Sequence, residues 1–501
     1  MIFRRRRATP SVGLVLSGGG SRASFQLGAL RYLYDEVGIT PTVVAGASVG
    51  SVLGSVLAQH RDHTGQRAAL AQLEELWRDL QQSSDIFTEQ EWFARLRDQG
   101  SSLIETISDL EERRQRLRRP FGRRPLREEA PVTSAAAAVD AVDPGPAERP
   151  ALPFASLDVV DLVAAIRHLA RARPDIETIL RGAGQEQALY RLGPVLDRVL
   201  DPAVFAPGRL ARSGVTLRVA VVALESGELR YVTQDGRLLD RAGVPVPGAA
   251  PVDLVDAVRA SCTIPGVFAP VRLGDEHYVD GGVREVLPVE AVLARGHVDR
   301  CYAVLASAPG VPREDSYATR DLLSIVLRAS VGIMADEVVR EEAARARAAG
   351  AVVVVPEIDV HDAMVVDPGL TAIAMDYGWS RAAQAVGGAT PAESRAVREI
   401  VELRRRTWAW EVALHGPDSP DRGSALAILA TLPGEAAERA ALADSVGSAD
   451  PDPDGLAILK RELRDRVTAI PARLLPPDAG AWWRRWEGHP FPLPSAAPWL
   501  D

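Results

Sequence analysis

Residues 12–59 constrain the fold more than any other stretch of the chain. Two short apolar runs, 12–16 (VGLVL) and 42–45 (TVVA), each pass into a turn rich in glycine and serine and then into a segment with helical periodicity. A short apolar run bounded by turn residues is what a strand covered on both faces requires, and such strands belong to parallel sheets flanked by helices. On the first helical segment, about 23–37, Phe25, Leu27, Leu30, Leu33 and Tyr34 recur at helical spacing. The second helix is expected over 49–59. This opening predicts an α/β fold with a mixed, mostly parallel central sheet between layers of helices.

The rest of the chain extends that sheet and then becomes helical. Residues 66–99 read as mostly helical, with further helices near 157–172 and 185–201. An apparent hairpin runs through 215–224 and 228–233 around Ser226-Gly227, followed by helices near 252–261 and 288–295 and a strand over 301–306. Beyond these lie a long helix (about 318–349), a strand at 352–355 and helices near 369–387 and 391–414. The expected organisation is a basic tail at 1–10, a main α/β domain at 11–310, a helical continuation at 311–415 that packs on it, and a C-terminal extension at 416–501, mainly helical. The main domain carries an insertion rich in Arg and Pro at about 111–153. No internal repeat is visible.

With 501 residues the chain can bury a sizeable core in more than one folded unit. A formal net charge of −9 supplies no global positive field for phosphates, so no nucleic-acid partner is expected. Cys262 and Cys301, the two cysteines, lie in apolar stretches and read as small buried hydrophobes in a reducing compartment. The eight histidines are scattered, none at ligand spacing with Cys, Asp or another His, and no metal or other cofactor is expected. No uninterrupted run of about 18 apolar residues predicts a transmembrane helix. The apolar run after Arg4 to Arg7 is too short for a signal-peptide core, so the expected location is cytoplasmic. Lys460 is the only lysine.

Two local features remain open in the sequence. Eight arginines fall within 113–127, with Leu117, Phe121 and Leu126 interleaved. Such a cluster docks peripherally on an anionic membrane at about 1 kcal/mol per residue, or forms a solvated loop, as its Pro-rich continuation equally allows. Trp482, Trp483, Trp486 and Trp499 serve either as an interfacial anchor or as the cover of a core. Trp408 and Trp410, one residue apart, cannot share one helix face.

Three motifs carry chemistry. Gly46-Ala47-Ser48-Val49-Gly50 is a G-x-S-x-G between an apolar strand and a helix, the signature of a nucleophile elbow. A tight strand-to-helix turn strains the serine backbone, and the flanking glycines Gly46 and Gly50 remove Cβ clashes. The serine hydroxyl then stands at a helix N-terminus, where developing negative charge is favoured. As five residues alone, the pattern equally describes an ordinary strand-to-helix turn. Gly18-Gly19-Gly20-Ser21-Arg22 ends the first strand and lets backbone N–H groups approach an anion closely, as an oxyanion hole requires. The competing dinucleotide reading, G-x-G-x-x-A through Ala23, lacks an acidic residue at the end of the second strand to hold a ribose. Tyr278-Val279-Asp280-Gly281-Gly282 is the third motif, and alone an Asp-Gly-Gly is more often a turn.

Taken together, the three resemble the patatin-like phospholipase family. That family carries a Gly-Gly-Gly-x-Arg loop, a Gly-x-Ser-x-Gly elbow and an Asp-Gly-Gly/Ala in this order. The block Ala260-Ser261-Cys262-Thr263-Ile264-Pro265-Gly266-Val267-Phe268-Ala269-Pro270 and the later Pro288 are similar to further family segments. The resemblance covers about 12–306 and makes the 11–310 domain catalytic, with a three-layer α/β/α architecture. It implies Ser48 as nucleophile and Asp280 as base, without a histidine relay. It further implies Gly18, Gly19 and Gly20 as oxyanion donors, with Arg22 anchoring their loop and Gly281 and Gly282 supporting Asp280. The implied substrate is a phospholipid or other lipid ester, with neither head group nor oligomeric state specified. Two departures stand out: Ala23 replaces a glycine, and Val286 occupies a position where the family commonly has Asn, so the Asp280 loop must be held some other way. A catalytically weak binding protein and a lipid acyltransferase are the alternative expectations. A Ser-His-Asp triad is disfavoured because the elbow comes so early in the chain, although His277, His297, His361, His415 and His489 lie downstream.

Overall fold

The computed structural model describes residues 11–94, 188–293, 298–311, 313, 316–317, 325, 328–414 and 453–484. The basic tail, the 111–153 insertion with its arginine cluster, the helix expected near 157–172, Trp486, Trp499 and most of 416–501 lie outside the described residues. The chain divides into two compact units, Met1–Thr88 with Tyr190–Asp501, and Glu89–Leu189. Only 89–94 and 188–189 of the second unit are described, where the Gln90 N–H donates to the Leu189 carbonyl at 2.9 Å.

In the first unit the opening 12–59 folds as its pattern dictates. Strand β1 (Val12–Leu16) leads into helix α1 (Ala23–Tyr32), which a wider turn, Leu33–Val37, completes. Strand β2 (Val43–Ala47) leads into α2 (Val49–Leu57), and α3 (His63–Arg78) follows. The chain continues through β3 (Phe87–Glu89), β4 (Tyr190–Leu192), α4 (Pro194–Val199), α5 (Pro207–Ser213), β5 (Thr216–Ala223), β6 (Leu229–Thr233) and β7 (Leu238–Asp240). Next come α6 (Leu254–Ser261), β8 (Val271–Leu273), β9 (Glu276–Asp280), α7 (Glu290–Leu293) and β10 (Arg300–Val304). The last elements are α8 (Ala335–Ala348), β11 (Val352–Val354), α9 (Pro368–Gly387), α10 (Pro391–Leu414) and α11 (Pro453–Ala469).

Among the described residues nine strands form one sheet, in the order β11-β10-β1-β2-β5-β6-β7, with β9 paired to β5 and to β8. The five strands from β11 to β5 run parallel, and the β6, β7, β8 and β9 pairings are antiparallel. Alternate side chains of the parallel strands feed two cores. Leu14, Leu16, Val44, Leu217 and Val219 face the layer that contains α1, α3 and α9. Val15, Val43, Ala45 and Val222 face Val289, Val292, Ala343 and Ala346 of the opposite layer. Helices α1 and α9 meet at backbone distance: a Cβ on Gly28 would stand 1.7 Å from the Met375 carbonyl oxygen.

Two helical expectations give way to turns and strands. Within 66–99 the helix stops at Arg78, because the Asp85 carboxylate takes the N–H groups of Gln81 and Gln82 and forms a capped 3-10 turn ahead of β3. Within 185–201 residues 190–192 are extended, and helix begins only at Pro194, where a missing N–H costs nothing.

The helical continuation explains its tryptophans. Trp408 packs against Gly369 of α9 and Trp410 against Gly455 of α11, so α10 is buried on two faces. Trp482 is buried, with the Arg404 guanidinium 3.8 Å above its ring and Asp376 3.0 Å from Arg404; it covers a core. Lys460 of α11 is buried in an ion pair with Glu411 of α10. Cys301 is buried and Cys262 half-buried, both as free thiols. Among the described residues no helix is long and apolar enough to cross a membrane.

Candidate active site

Strand register brings the three motifs to one edge of the sheet. Leu16 of β1 pairs with Gly46 of β2, Ala47 of β2 with Ala220 of β5, and Val221 of β5 with Asp280 of β9. One step past Ala47, Ser48 is therefore level with Val221 and Asp280, and Gly18 is level with Ser48. A Cβ on Gly18 would come within 3.2 Å of the Ser48 Cβ. The site lies outside the carboxyl ends of the parallel strands, where ligand crevices of α/β sheets form.

Ser48 caps helix α2 with φ 51° and ψ −132°, the only positive-φ residue other than glycine among those described. Backbone strain of this kind costs about 1–3 kcal/mol and persists only where the surroundings enforce it. Here the Ser48 N–H donates to the Ser261 Oγ at 3.0 Å, and that hydroxyl donates to the Ala220 carbonyl at 2.7 Å. Gly46 and Gly50 allow the tight packing of the turn: a Cβ on Gly50 would stand 2.4 Å from the Leu16 carbonyl oxygen. Ser48 is 8% exposed, within reach of solvent but largely enclosed.

Asp280 is 4% exposed. Burial pushes its carboxyl up to about 6, opposed by the Gly282 N–H, which donates to it at 2.7 Å, and by the nearby Ser48 hydroxyl. Its own N–H donates to the Thr263 carbonyl at 2.9 Å. Gly281 packs against Ala220 with no room for a Cβ. An ordinary carboxylate near 4 is a poor base for an alcohol, and a desolvated one is stronger while still ionised at neutral pH.

The glycine loop is held from three sides. The Arg22 Nε donates to the His361 carbonyl at 2.9 Å, its Nη1 to the Ser307 Oγ at 3.0 Å, and its Nη2 pairs with the Asp359 Oδ2 at 3.0 Å. The Ser21 N–H donates to the Ala363 carbonyl at 3.0 Å. Gly20 has φ 58°, and a Cβ there would stand 2.5 Å from the Ala363 oxygen. Gly19 packs against Ala306. The Gly18 N–H is committed to the Val286 carbonyl at 3.2 Å, whereas no acceptor among the described residues engages the N–H groups of Gly19 or Gly20.

Two histidines are described downstream of Asp280 or beside it, and neither touches Ser48 or Asp280. His277 lies exposed on β9, its Nδ1 2.6 Å from the Glu225 Oε1. His361 is buried, contacts the hydroxyls of Ser21 and Ser24, and is pushed down to about 4 by burial. His297, His415 and His489 lie outside the described residues. Among the described residues no cluster of His, Cys, Asp or Glu could hold a metal ion. Ser261 is a site residue that sequence reasoning missed, although it lies in the block quoted above.

A strained serine at a strand-to-helix elbow, a buried aspartate level with it and a glycine loop one strand away define an α/β protein with a serine elbow at the carboxyl ends of its parallel strands. The sequence model of the family described as "Patatin-like phospholipase" matches residues 14–293, more than half of the chain. The chain belongs to the patatin-like phospholipase family. It is 45% identical over 58 residues to "Lysophospholipase NTE1" of Chaetomium globosum, covering 12% of this chain and 4% of that one. The corresponding protein of Phaeosphaeria nodorum is 47% identical over 58 residues, with the same coverage. The chain thus spans only about 4% of the length of these relatives. Among solved structures, VipD from Legionella pneumophila matches with 14% identity and a TM-score of 0.29, over 95% of this chain and 92% of that one. The type III effector ExoU matches with 14% identity and a TM-score of 0.23, over 91% and 75%.

Proposed function

We propose that the protein is a serine acyl hydrolase that cleaves ester bonds of phospholipids or other lipids through a Ser48–Asp280 dyad and an acyl-enzyme. The observation that carries this reading is the buried Asp280 carboxyl, level with Ser48 across β5 and favoured in its ionised form by the Ser48 hydroxyl, with no histidine beside either residue among those described. Family membership supports the lipid ester as substrate class.

In this mechanism the Ser48 Oγ attacks the ester carbonyl as its proton passes to Asp280. The N–H groups of Gly19 and Gly20 hold the tetrahedral oxyanion, each such donor being worth roughly 10²–10³ in rate. Collapse breaks the ester C–O bond, and the departing alcohol takes the proton from Asp280. Water then attacks the acyl-enzyme, giving its proton to Asp280, which returns it to Ser48 as the acid leaves. Arg22 steadies the loop and takes no part in proton transfer.

The test is labelling by a fluorophosphonate probe, followed by hydrolysis of a lipid panel. The wild-type chain is expected to take one equivalent of probe, Ser48→Ala none, and Asp280→Asn a small fraction of the wild-type rate, with both variants folded. Ester hydrolysis that survives in Ser48→Ala overturns the reading.

A further inference from the structure

The family's common Asn is replaced by Val286, yet the segment after Asp280 is not slack. Its N–H groups go to Glu342 of α8: the Val286 N–H donates to the Glu342 Oε2 at 3.1 Å and the Leu287 N–H to the same oxygen at 2.8 Å. The Val286 carbonyl receives the Gly18 N–H at 3.2 Å. A continuous hydrogen-bonded path thus runs from α8 through Val286 to the glycine loop. Helix α8 lies outside the 14–293 family match.

The placement of Glu342 is costly without a purpose. Its neighbour Glu341 lies exposed at the surface, paired with Arg345 at 2.7 Å, whereas Glu342 is 4% exposed and has no ion pair within 4 Å among the described residues. The charged groups facing it are Glu285, which opposes its ionisation, and Arg345, which favours it weakly. Glu285 is itself buried, receives the Tyr231 hydroxyl and lies 3.9 Å from Arg241. An apolar side chain would fill the space beside Ala343 and Val289 more cheaply, but it would leave two buried peptide N–H groups unpaired. What Glu342 supplies is an acceptor at a fixed reach.

We infer that Glu342 is the positioning residue for the oxyanion loop: it fixes the peptide groups of Val286 and Leu287, and through the Val286 carbonyl it holds Gly18, leaving Gly19 and Gly20 free to donate. The inference rests on the dyad reading above. Burial pushes the Glu342 carboxyl up to about 8, and one carbonyl-type oxygen accepts both N–H groups in either protonation state. The role therefore depends on the acceptor and its reach, not on charge.

Three variants of the full chain separate acceptor, reach and volume: E342Q keeps the acceptor at full reach without an ionisable group, E342D keeps the carboxyl but withdraws it by one methylene, and E342L fills the volume with neither. kcat and KM for a p-nitrophenyl ester are read beside fluorophosphonate labelling, with thermal unfolding to establish folding. E342Q is expected within about 3-fold of wild type, and E342D and E342L to lose roughly 10–100-fold in kcat with KM nearly unchanged, as a misplaced site does. E342Q falling by 10-fold or more, or folded E342D or E342L retaining wild-type kcat, overturns the inference. The two readings fail differently. A wild-type chain that neither takes the probe nor cleaves esters sinks the dyad reading. A reactive wild type whose Glu342 variants react equally sinks this inference alone.

Discussion

The N–H of Ser48 donates to the Oγ of Ser261 at 3.0 Å, tying the strained Ser48 peptide to the end of α6. Because that hydroxyl also reaches the Ala220 carbonyl, one small side chain joins the elbow, α6 and β5. Ser261→Ala leaves the buried Ser48 N–H and Ala220 carbonyl without this partner. We expect a stability loss of about 1–3 kcal/mol, measured by denaturant unfolding, and a kcat reduced more than the KM. Unchanged kcat in a folded Ser261→Ala chain would show that the elbow needs no such tie.

The pH dependence of acylation follows from Asp280. As the proposed general base it must be ionised, and burial pushes its carboxyl up to about 6. The fluorophosphonate labelling rate is therefore expected to rise with pH through an apparent midpoint near 6 and then level off. A midpoint near the ordinary carboxylate value of about 4 would contradict the desolvation that makes Asp280 an adequate base. For stability the sign is opposite. A folded-state value above the unfolded one contributes stability that is complete below about 4 and fades as pH rises toward 6. Asp280→Asn should remove that slope.

Gly20→Ala tests the glycine loop. The new Cβ would meet the Ala363 oxygen at 2.5 Å on a residue with φ 58°, so the loop must shift. A displacement of about 1 Å costs on the order of 100-fold in rate. The expected signature is lost kcat with labelling slowed in parallel, while Ser48 itself is untouched.

Arg22 offers a graded test, because its three nitrogens serve three partners, the His361 carbonyl, Ser307 and Asp359. Arg22→Lys keeps the charge but cannot reach all three, and Arg22→Ala reaches none. We expect activity in the order wild type, Lys, Ala. Stability should fall by only about 1–2 kcal/mol in Arg22→Ala, since water reaches both Arg22 and Asp359. An Arg22→Lys chain as inactive as Arg22→Ala would assign the arginine a role beyond anchoring.

What the sequence discloses and what it hides divide on physical lines. The elbow, the glycine loop and Asp280 are legible because each needs a residue type that few others can replace at that backbone position. The parallel strands are legible because burial on both faces leaves an uninterrupted apolar run, as at 12–16. Ser261 lies within a recognisable block, but nothing local announces that its hydroxyl meets Ser48. Glu342 is harder still: in α8 it is one acidic residue among Asp336, Glu337 and Glu341, and only packing distinguishes it. The end of α3 at Arg78 escapes because Asp85 caps backward onto Gln81 and Gln82, a contact without periodicity. Likewise Trp408 and Trp410 on adjacent faces make sense only once α9 and α11 cover both.

The pair between Lys460 and Glu411 has a practical meaning. As the chain's only lysine side chain is shut between α10 and α11, a reagent that acylates side-chain amines has a single target, reached only when those helices part. Its rate of modification is thus a clock for local opening of the helical region. That clock reads the packing of α10 on α11 through Lys460, whereas a serine-directed probe reads Ser48, so the two regions of one molecule can be followed by different reagents.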